Sequence, residues 1–232
     1  MAPLQAGVVA LSRAPKALWS SYKRTLDANP IRTKAATSIG AALVGDSLAQ
    51  LLSRSSSSSG NAAEDWRYDW QRTARLCLFN AGMGCLGHYY YGALDKRIGI
   101  AAPKSAGTVI SKVAIDQLLF SPMCTLAFYA YKCTAEGKPK EYFSELDKKL
   151  WPTLKAGWCL WPAAHVLNFA LVPTQHRILY ANVVSVAGTF LLSKAAAGDF
   201  SKGKEVGLPS GMRRRSDRPN EVLFDGVSIK YD

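Results

Sequence analysis

Acidic residues are scarce in this chain of 232 residues, with 17 Asp and Glu against 29 Lys and Arg, and the net charge is +12. Charge of either sign is missing from two long runs, residues 76–94 and 156–176, and from two shorter ones, 117–131 and 178–193. A helix crosses a bilayer core with about 20 mostly apolar residues. A soluble helical bundle is less expected, because its helices usually carry a charged stripe. The distribution predicts an all-α integral membrane bundle of four transmembrane helices, or five if residues 178–193 also cross.

The sequence also lacks the patterns of catalysis and of metal or cofactor binding. The five cysteines form no C-x-x-C pair and lie in or beside the apolar runs, which indicates buried apolar side chains rather than disulfides or a zinc site. His88, His165 and His176 have no metal-ligand spacing, and no P-loop or nucleophile elbow occurs. Residues 82–87 match G-x-G-x-x-G, but their flanks are apolar and Asp95 follows too early for a dinucleotide site. We therefore expect no enzyme activity, no cofactor and no metal.

The basic residues are spread over every connector instead of forming one stripe. That distribution is typical of contact with anionic lipid head groups and does not favour nucleic acid. The first 26 residues contain no acid but include Arg13, Lys16, Lys23 and Arg24. This composition is typical of a mitochondrial or chloroplast transit segment, and also of an amphipathic helix on a membrane surface. We predict that residues 1–30 are a targeting segment that is retained as an amphipathic helix.

Three regions follow from the composition. Residues 1–30 precede a membrane helical domain at 31–194, and a basic, extended tail fills 195–232. The tail is either solvated or an arm that lies along a partner or an anionic surface. A serine-rich stretch at 53–63 predicts a flexible loop after the first span. The tail and this loop are the segments through which protein partners are expected to bind.

Small residues and proline predict details of the spans. Ala41, Gly45 and Ala49 recur every four residues in the first span, a spacing that lets two membrane helices approach closely. Pro30 stands where a helix favours proline, at its start. Pro122 lies inside the third span and predicts a kink there. Residues 134–155 are rich in charge and predict a connector, with the fourth span beginning at residue 156.

Polar and charged side chains interrupt the apolar runs and are the candidates for function. A charge at membrane depth costs about 2.5 to 3.5 kcal/mol on insertion scales, so such groups are normally paired or wet. They either line a water-filled path or pair with each other and fix the helix packing. The candidates are Asp46, Gln50, Arg72, Arg75, His88, Asp116, Gln117, His165, Asn168 and Arg177.

Six motifs between residues 19 and 194 occur in the order and with the spacing of one known family. They are W-x-x-Y-x-x-x-L-x-x-x-P at Trp19–Pro30, G-D-x-x-x-Q at Gly45–Gln50, D-x-x-R-x-x-R at Asp69–Arg75, a G-x-x-x-H-x-x-Y-x-x-L-D pattern at Gly84–Asp95, K-x-x-x-D-Q-x-x-x-x-P at Lys112–Pro122, and a W-x-x-W-P…N-F-x-x-V-P-x-x-x-R pattern at Trp158–Arg177. On these residues the chain resembles the family of Mpv-seventeen and the twenty-two-kilodalton peroxisomal membrane protein. It departs from the family where Cys85, Tyr90, His165 and Gly188 replace proline, tryptophan, glutamine and tryptophan.

The resemblance implies a small multi-span helical protein of an organelle, not an enzyme. Several members of the family are described as non-selective pores for small solutes, and others by effects on organelle homeostasis. The acid-free N-terminus favours the mitochondrial inner membrane, with the peroxisomal and chloroplast membranes as alternatives. The expected functions are a small-solute pore or a metabolite-homeostasis factor. The alternative is an accessory subunit of a larger mitochondrial complex, such as a respiratory-chain or ATP synthase assembly.

Overall fold

The computed structural model describes residues 16–56 and 66–196 together with three short strands near the C-terminus. Most of the predicted targeting segment, most of the serine-rich loop and most of the tail therefore lie outside the described residues. The helices are α1 (16–28), α2 (Pro30–Ser56), α3 (Trp70–Arg97), α4 (Ala106–Ile115), α5 (Ser121–Ala135), α6 (Tyr142–Leu171) and α7 (Arg177–Ala196). The predicted helical class is confirmed for residues 16–56 and 70–196.

Three strands stand within the predicted tail. They are β1 (Met212–Arg214), β2 (Glu221–Phe224) and β3 (Val227–Lys230), and they pair antiparallel in the order β1-β2-β3. Met212 pairs with Phe224, and Glu221 pairs with Lys230. The prediction of an extended tail contained no sheet, because its Gly-, Ser- and Pro-rich sequence shows no clear alternation.

The first two long helices run antiparallel and pack along their length. α2 begins at Pro30, as the sequence predicts, since the first helical position has no intrahelical partner for a backbone N–H. α3 meets α2 most closely at Gly84, where an added Cβ would lie 2.8 Å from the Lys34 carbonyl oxygen. Gly45, on the opposite half of α2, packs near Val186 and Thr189 of α7. Gly45 thus lies where α2 packs against α7. In the glycine motif of α3, Gly84 packs against α2 and Gly87 against Ile178 of α7, whereas a Cβ at Gly82 would meet no atom within 4 Å.

The third predicted span is a continuous helix that contains one π-helical turn and no break. α4 and α5 are joined by a π-helical turn, Asp116–Phe120, in which Ser121 N–H bonds back to the Asp116 carbonyl. Pro122 follows at once. Because proline has no N–H and its ring clashes with the carbonyl four residues earlier, the wider turn accommodates it.

The fourth predicted span continues into the connector that precedes it. We expected a charged connector at residues 134–155 and a helix from residue 156, but α6 is a single helix from Tyr142 to Leu171. Its first half is amphipathic and carries Pro152 without ending the helix. The last apolar stretch is a separate helix, α7, because Val172 is extended ahead of Pro173.

The bundle has a polar interior and an apolar outer surface. Among the described residues, the buried set holds more polar and charged side chains than apolar ones, whereas large apolar side chains such as Leu78, Leu118 and Leu171 are exposed. Such a surface suits contact with lipid rather than water. Two helical stretches, Pro30–Leu52 and Ala106–Ala135, are long and apolar enough to cross a membrane. The count of four spans stays a prediction.

Candidate functional site

The predicted polar residues form separate groups inside the bundle and do not converge on one cavity. Three groups each contain one buried or half-buried aspartate. We name them the Asp46 cluster (Asp46, Gln50, Arg72, Thr73), the Asp95 cluster (Asp95, Lys112, Thr174, Arg177) and the Asp116 centre (Tyr90, Asp116, Gln117, His165, Asn168). A fourth contact joins His88 to Lys34. The side chain of Arg75 makes no described contact with any of these groups, although its carbonyl accepts a hydrogen bond from Tyr131.

The Asp46 cluster ties the C-terminal half of α2 to the start of α3. Asp46 and Gln50 lie one turn apart on α2, and the Gln50 amide donates to Asp46 Oδ2 at 2.8 Å. Arg72 Nε lies 3.0 Å from Asp46 Oδ1, and the Thr73 hydroxyl donates to Oδ2. The Asp46 side chain is 1 % exposed and Arg72 is 42 % exposed. The carboxylate is therefore neutralised from the rim of the bundle.

The backbone at the start of α3 is held by the same cluster. The Asp69 side chain caps α3 by accepting from Arg72 N–H at 2.8 Å. The Asp69 backbone N–H in turn donates to Gln50 Oε1 at 2.8 Å. Gln50 uses both ends of its amide, and the two helices are fixed in register.

The Asp95 cluster joins α3, α4 and the turn between α6 and α7. Lys112 Nζ lies 2.6 Å from Asp95 Oδ1, and Arg177 Nη1 lies 2.8 Å from the same oxygen. The Thr174 hydroxyl donates to Oδ2. Lys112 is 1 % exposed and Arg177 is 5 % exposed, so two buried cations share one carboxylate. Apolar packing surrounds them, formed by Tyr91, Leu94, Val109, Phe169 and Ile178.

The Asp116 centre is built on the π-helical turn and on the middle of α6. Asp116 Oδ2 lies 3.2 Å from His165 Nε2 and accepts from the Gln117 amide at 2.9 Å. The His165 ring is stacked between Trp161 and Phe169. Asn168 follows His165 by three residues, on the same face of α6, and is fully buried.

Several polar atoms of the Asp116 centre have no hydrogen-bond partner among the described residues. They are the Tyr90 hydroxyl oxygen, Asp116 Oδ1, Gln117 Oε1, His165 Nδ1 and both amide atoms of Asn168. Leaving a buried donor or acceptor unpaired costs about 1 to 3 kcal/mol each. The Asp116 centre thus differs in kind from the two clusters, whose charged groups face opposite charges.

Six residues of these groups were not candidates in the sequence: Lys34, Thr73, Tyr90, Asp95, Lys112 and Thr174. Asp95 and Lys112 stand inside family motifs, and their opposite charges were the available signal. Thr73, Tyr90 and Thr174 carry no charge, so charge could not distinguish them. Lys34 lies one turn after Pro30, and a lysine so close to the start of a helix is expected to be exposed. In the structure it is 4 % exposed.

Neither a metal site nor a disulfide is formed by these groups. Within residues 16–56 and 66–196, no three His, Cys, Asp or Glu side chains are placed to hold a metal ion. All five cysteines are free, and Cys133 is buried while Cys159 is exposed. The expectation that cysteines act as small buried apolar residues therefore applies to Cys133 but not to Cys159, which lies on the outer face of α6.

Comparison with known proteins identifies the family. A model of the Mpv17 / PMP22 family matches residues 133–193. The chain is 32% identical over 173 residues to Protein SYM1 of Gibberella zeae, covering 74% of this chain and 93% of that protein. The chain belongs to the Mpv17 / PMP22 family. It is also 31% identical over 172 residues to PXMP2/4 family protein 3 of Dictyostelium discoideum, covering 74% and 87% of the two chains. Protein SYM1 of Eremothecium gossypii is 35% identical over 175 residues, covering 74% and 92%. No solved structure matches the chain.

Membership in the Mpv17 / PMP22 family makes this a membrane protein and agrees with its apolar exterior. The matched region contains all of α6 and most of α7, and with them His165, Asn168 and Arg177. These three residues belong to the Asp116 centre and the Asp95 cluster. His165 also stands at one of the positions where the sequence departs from the family pattern.

Proposed function

We propose that this protein passes small polar solutes through its helix bundle, and that the Asp116 centre is the constriction of the path. The observation that supports the proposal is the set of unpartnered polar atoms around Asp116, where the side chains of Asp116, Gln117, His165 and Asn168 are all buried. In a membrane, an interior ionisable residue marks a pathway or a polar contact. In the Asp46 and Asp95 clusters each carboxylate faces a cation, so we assign these two clusters to helix packing. The Asp116 centre is then the candidate for the solute pathway.

The chemistry of the Asp116 centre suits a neutral polar solute or water. Asp116 and Gln117 offer oxygen acceptors, His165 offers a ring nitrogen, and the Asn168 amide can both donate and accept. The π-helical turn adds a further argument, because such turns frequently occur at functional sites. The membrane we propose is an organelle membrane, and specifically the mitochondrial inner membrane, on the basis of the acid-free N-terminal segment.

Solute flux into liposomes tests the proposal. Purified protein is reconstituted at fixed density, and the uptake of a small neutral solute is followed by osmotic swelling. We expect Asp116→Asn and Asn168→Leu to change the flux severalfold, because both alter the polar lining of the constriction. Glu141→Gln is the matched control, since Glu141 belongs to an exposed pair with Lys138 at 3.8 Å.

Two results would overturn the pore proposal. One is a folded wild-type protein that gives no flux above that of empty liposomes. The other is a measurable flux that both interior variants leave unchanged. In the first case the accessory-subunit alternative gains support if the protein migrates in mild detergent as a defined larger complex.

A further inference from the structure

Lys34 is a buried cation that has no acidic side chain beside it within residues 16–56 and 66–196. Its side chain lies between α2 and α3 and is 4 % exposed. The contact of its ammonium group among the described residues is His88 Nδ1, at 3.0 Å. A buried ammonium that lacks a counter-charge is unfavourable in a protein interior and more so in a membrane. This group therefore requires an explanation that the rest of the bundle does not provide.

The buried aspartates of the bundle are already engaged elsewhere. Asp46 faces Arg72, Asp95 faces both Lys112 and Arg177, and Asp116 faces His165. Lys112 makes an informative comparison, because it is as deeply buried as Lys34 and has a carboxylate oxygen at 2.6 Å. Lys34 has the burial of Lys112 without its partner.

The contact with His88 fixes which hydrogen-bonding groups remain available. A lysine ammonium only donates, so His88 Nδ1 accepts and the ring carries its proton on Nε2. One of the three ammonium protons is used in this contact. Two ammonium protons are left to donate to a further group, and a charged donor makes strong hydrogen bonds to anionic oxygens.

α1 and the turn before α7 carry two further polar groups, on Tyr22 and His176. Leu26 of α1 is buried, and Tyr22 lies near His176, with 6.2 Å between the ring centroids. The Tyr22 hydroxyl and His176 Nδ1 are buried and have no partner among the described residues. Burial, followed by the positive charges of Lys23 and Lys34, lowers the pKa of His176 against the opposing charge of Asp27. His176 therefore favours its neutral form more strongly than a free imidazole does.

We propose that Lys34 and His88 form a binding site for an anionic oxygen group, a phosphate or a carboxylate, beneath α1. The ligand would supply the counter-charge that the described part of the bundle lacks, and the unpartnered Tyr22 hydroxyl and His176 Nδ1 could add hydrogen bonds. A soluble phosphate or carboxylate and the phosphate of a lipid head group share this chemistry.

Thermal unfolding of the protein in detergent tests the site and separates the two sources of the ligand. The protein is held in micelles of an uncharged maltoside, which supplies neither phosphate nor carboxylate, and the unfolding midpoint is recorded while inorganic phosphate or succinate is titrated. In a second arm, phosphatidylglycerol is titrated into the same micelles with no added anion. Lys34→Gln is compared with Lys104→Gln, which removes the same charge from an exposed position.

We expect a saturable rise of the midpoint in one of the two arms for the wild type and for Lys104→Gln. In Lys34→Gln the apparent affinity should fall roughly 10- to 100-fold, which corresponds to the loss of a hydrogen bond from a charged donor. A rise with phosphate or succinate identifies a soluble anion, and a rise with phosphatidylglycerol alone identifies a head group. A wild-type midpoint that stays constant in both arms, or a rise of equal affinity in Lys34→Gln, would overturn the proposal. The wild-type titration decides even if Lys34→Gln does not fold.

Discussion

The Asp95 cluster and the Asp116 centre place the same side chain in opposite situations within one bundle. Asp95 receives Lys112, Thr174 and Arg177, which come from two other parts of the chain. Asp116 faces His165 and its own neighbour Gln117, and one of its carboxylate oxygens has no partner among the described residues. In the Asp95 cluster the carboxylate joins helices, because all its partners come from other elements. The Asp116 centre also joins two helical segments, through Asp116 and His165, but it leaves several buried polar atoms without a partner among the described residues.

Replacing Asp95 should cause the largest loss of stability. Asp95→Asn leaves Lys112 and Arg177 buried without a counter-charge, and removing one partner of a buried pair costs about 3 to 5 kcal/mol. We expect a large fall of the unfolding midpoint in detergent, together with a lower yield of folded protein. Glu141→Gln, at an exposed pair, should move the midpoint by little, because exposed pairs contribute about 0 to 1 kcal/mol. Equal midpoints for the two variants would contradict the structural role of the Asp95 cluster.

Substitution of Gly84 tests the close packing of α3 against α2. An alanine Cβ at this position would lie 2.8 Å from the Lys34 carbonyl oxygen and 3.0 Å from the Ala35 Cα, and neither backbone atom can turn aside. Gly84→Ala should therefore lower the free energy of unfolding by about 1 to 3 kcal/mol.

Gly92 on the same helix is the control for Gly84. A Cβ at Gly92 meets no atom within 4 Å. Gly92→Ala should therefore stabilise the helix by about 0.5 to 1 kcal/mol, because alanine restricts the unfolded chain more than glycine does. The two alanines should shift the unfolding midpoint in opposite directions, and a shared direction would show that α2 and α3 do not meet at Gly84.

The helices could be predicted from the sequence because charge is excluded from the runs that form them. Pro30 marked the start of α2, and Pro122 marked the irregular turn in the third span. Where α6 begins could not be predicted, because charged residues such as Lys148 and Lys155 suggested a connector while helix formation tolerates them on an exposed face.

The pairing of polar residues depends on tertiary packing, so their spacing in the sequence could not predict it. Asp46 and Gln50 were one turn apart and therefore predictable as neighbours. Asp95 and Arg177 are 82 residues apart in the chain, and only the packing of α3 against the start of α7 brings them together. A sequence displays which groups are ionisable, but the distinction between a paired carboxylate and an unpaired one belongs to the folded bundle.

The sharpest comparison between the paired and unpaired regions uses one substitution at two buried amides. Gln50→Leu removes an amide that bonds Asp46, Thr73 and the Asp69 backbone, so it should lower the free energy of unfolding by about 1 to 3 kcal/mol. Asn168→Leu removes an amide with no described partner and puts an apolar side chain of similar size in its place. It should leave the unfolding midpoint unchanged or raise it, while the flux through the bundle changes. If Asn168→Leu destabilises the protein as much as Gln50→Leu does, the Asn168 amide is a packing contact, and the Asp116 centre is a third cluster like the other two.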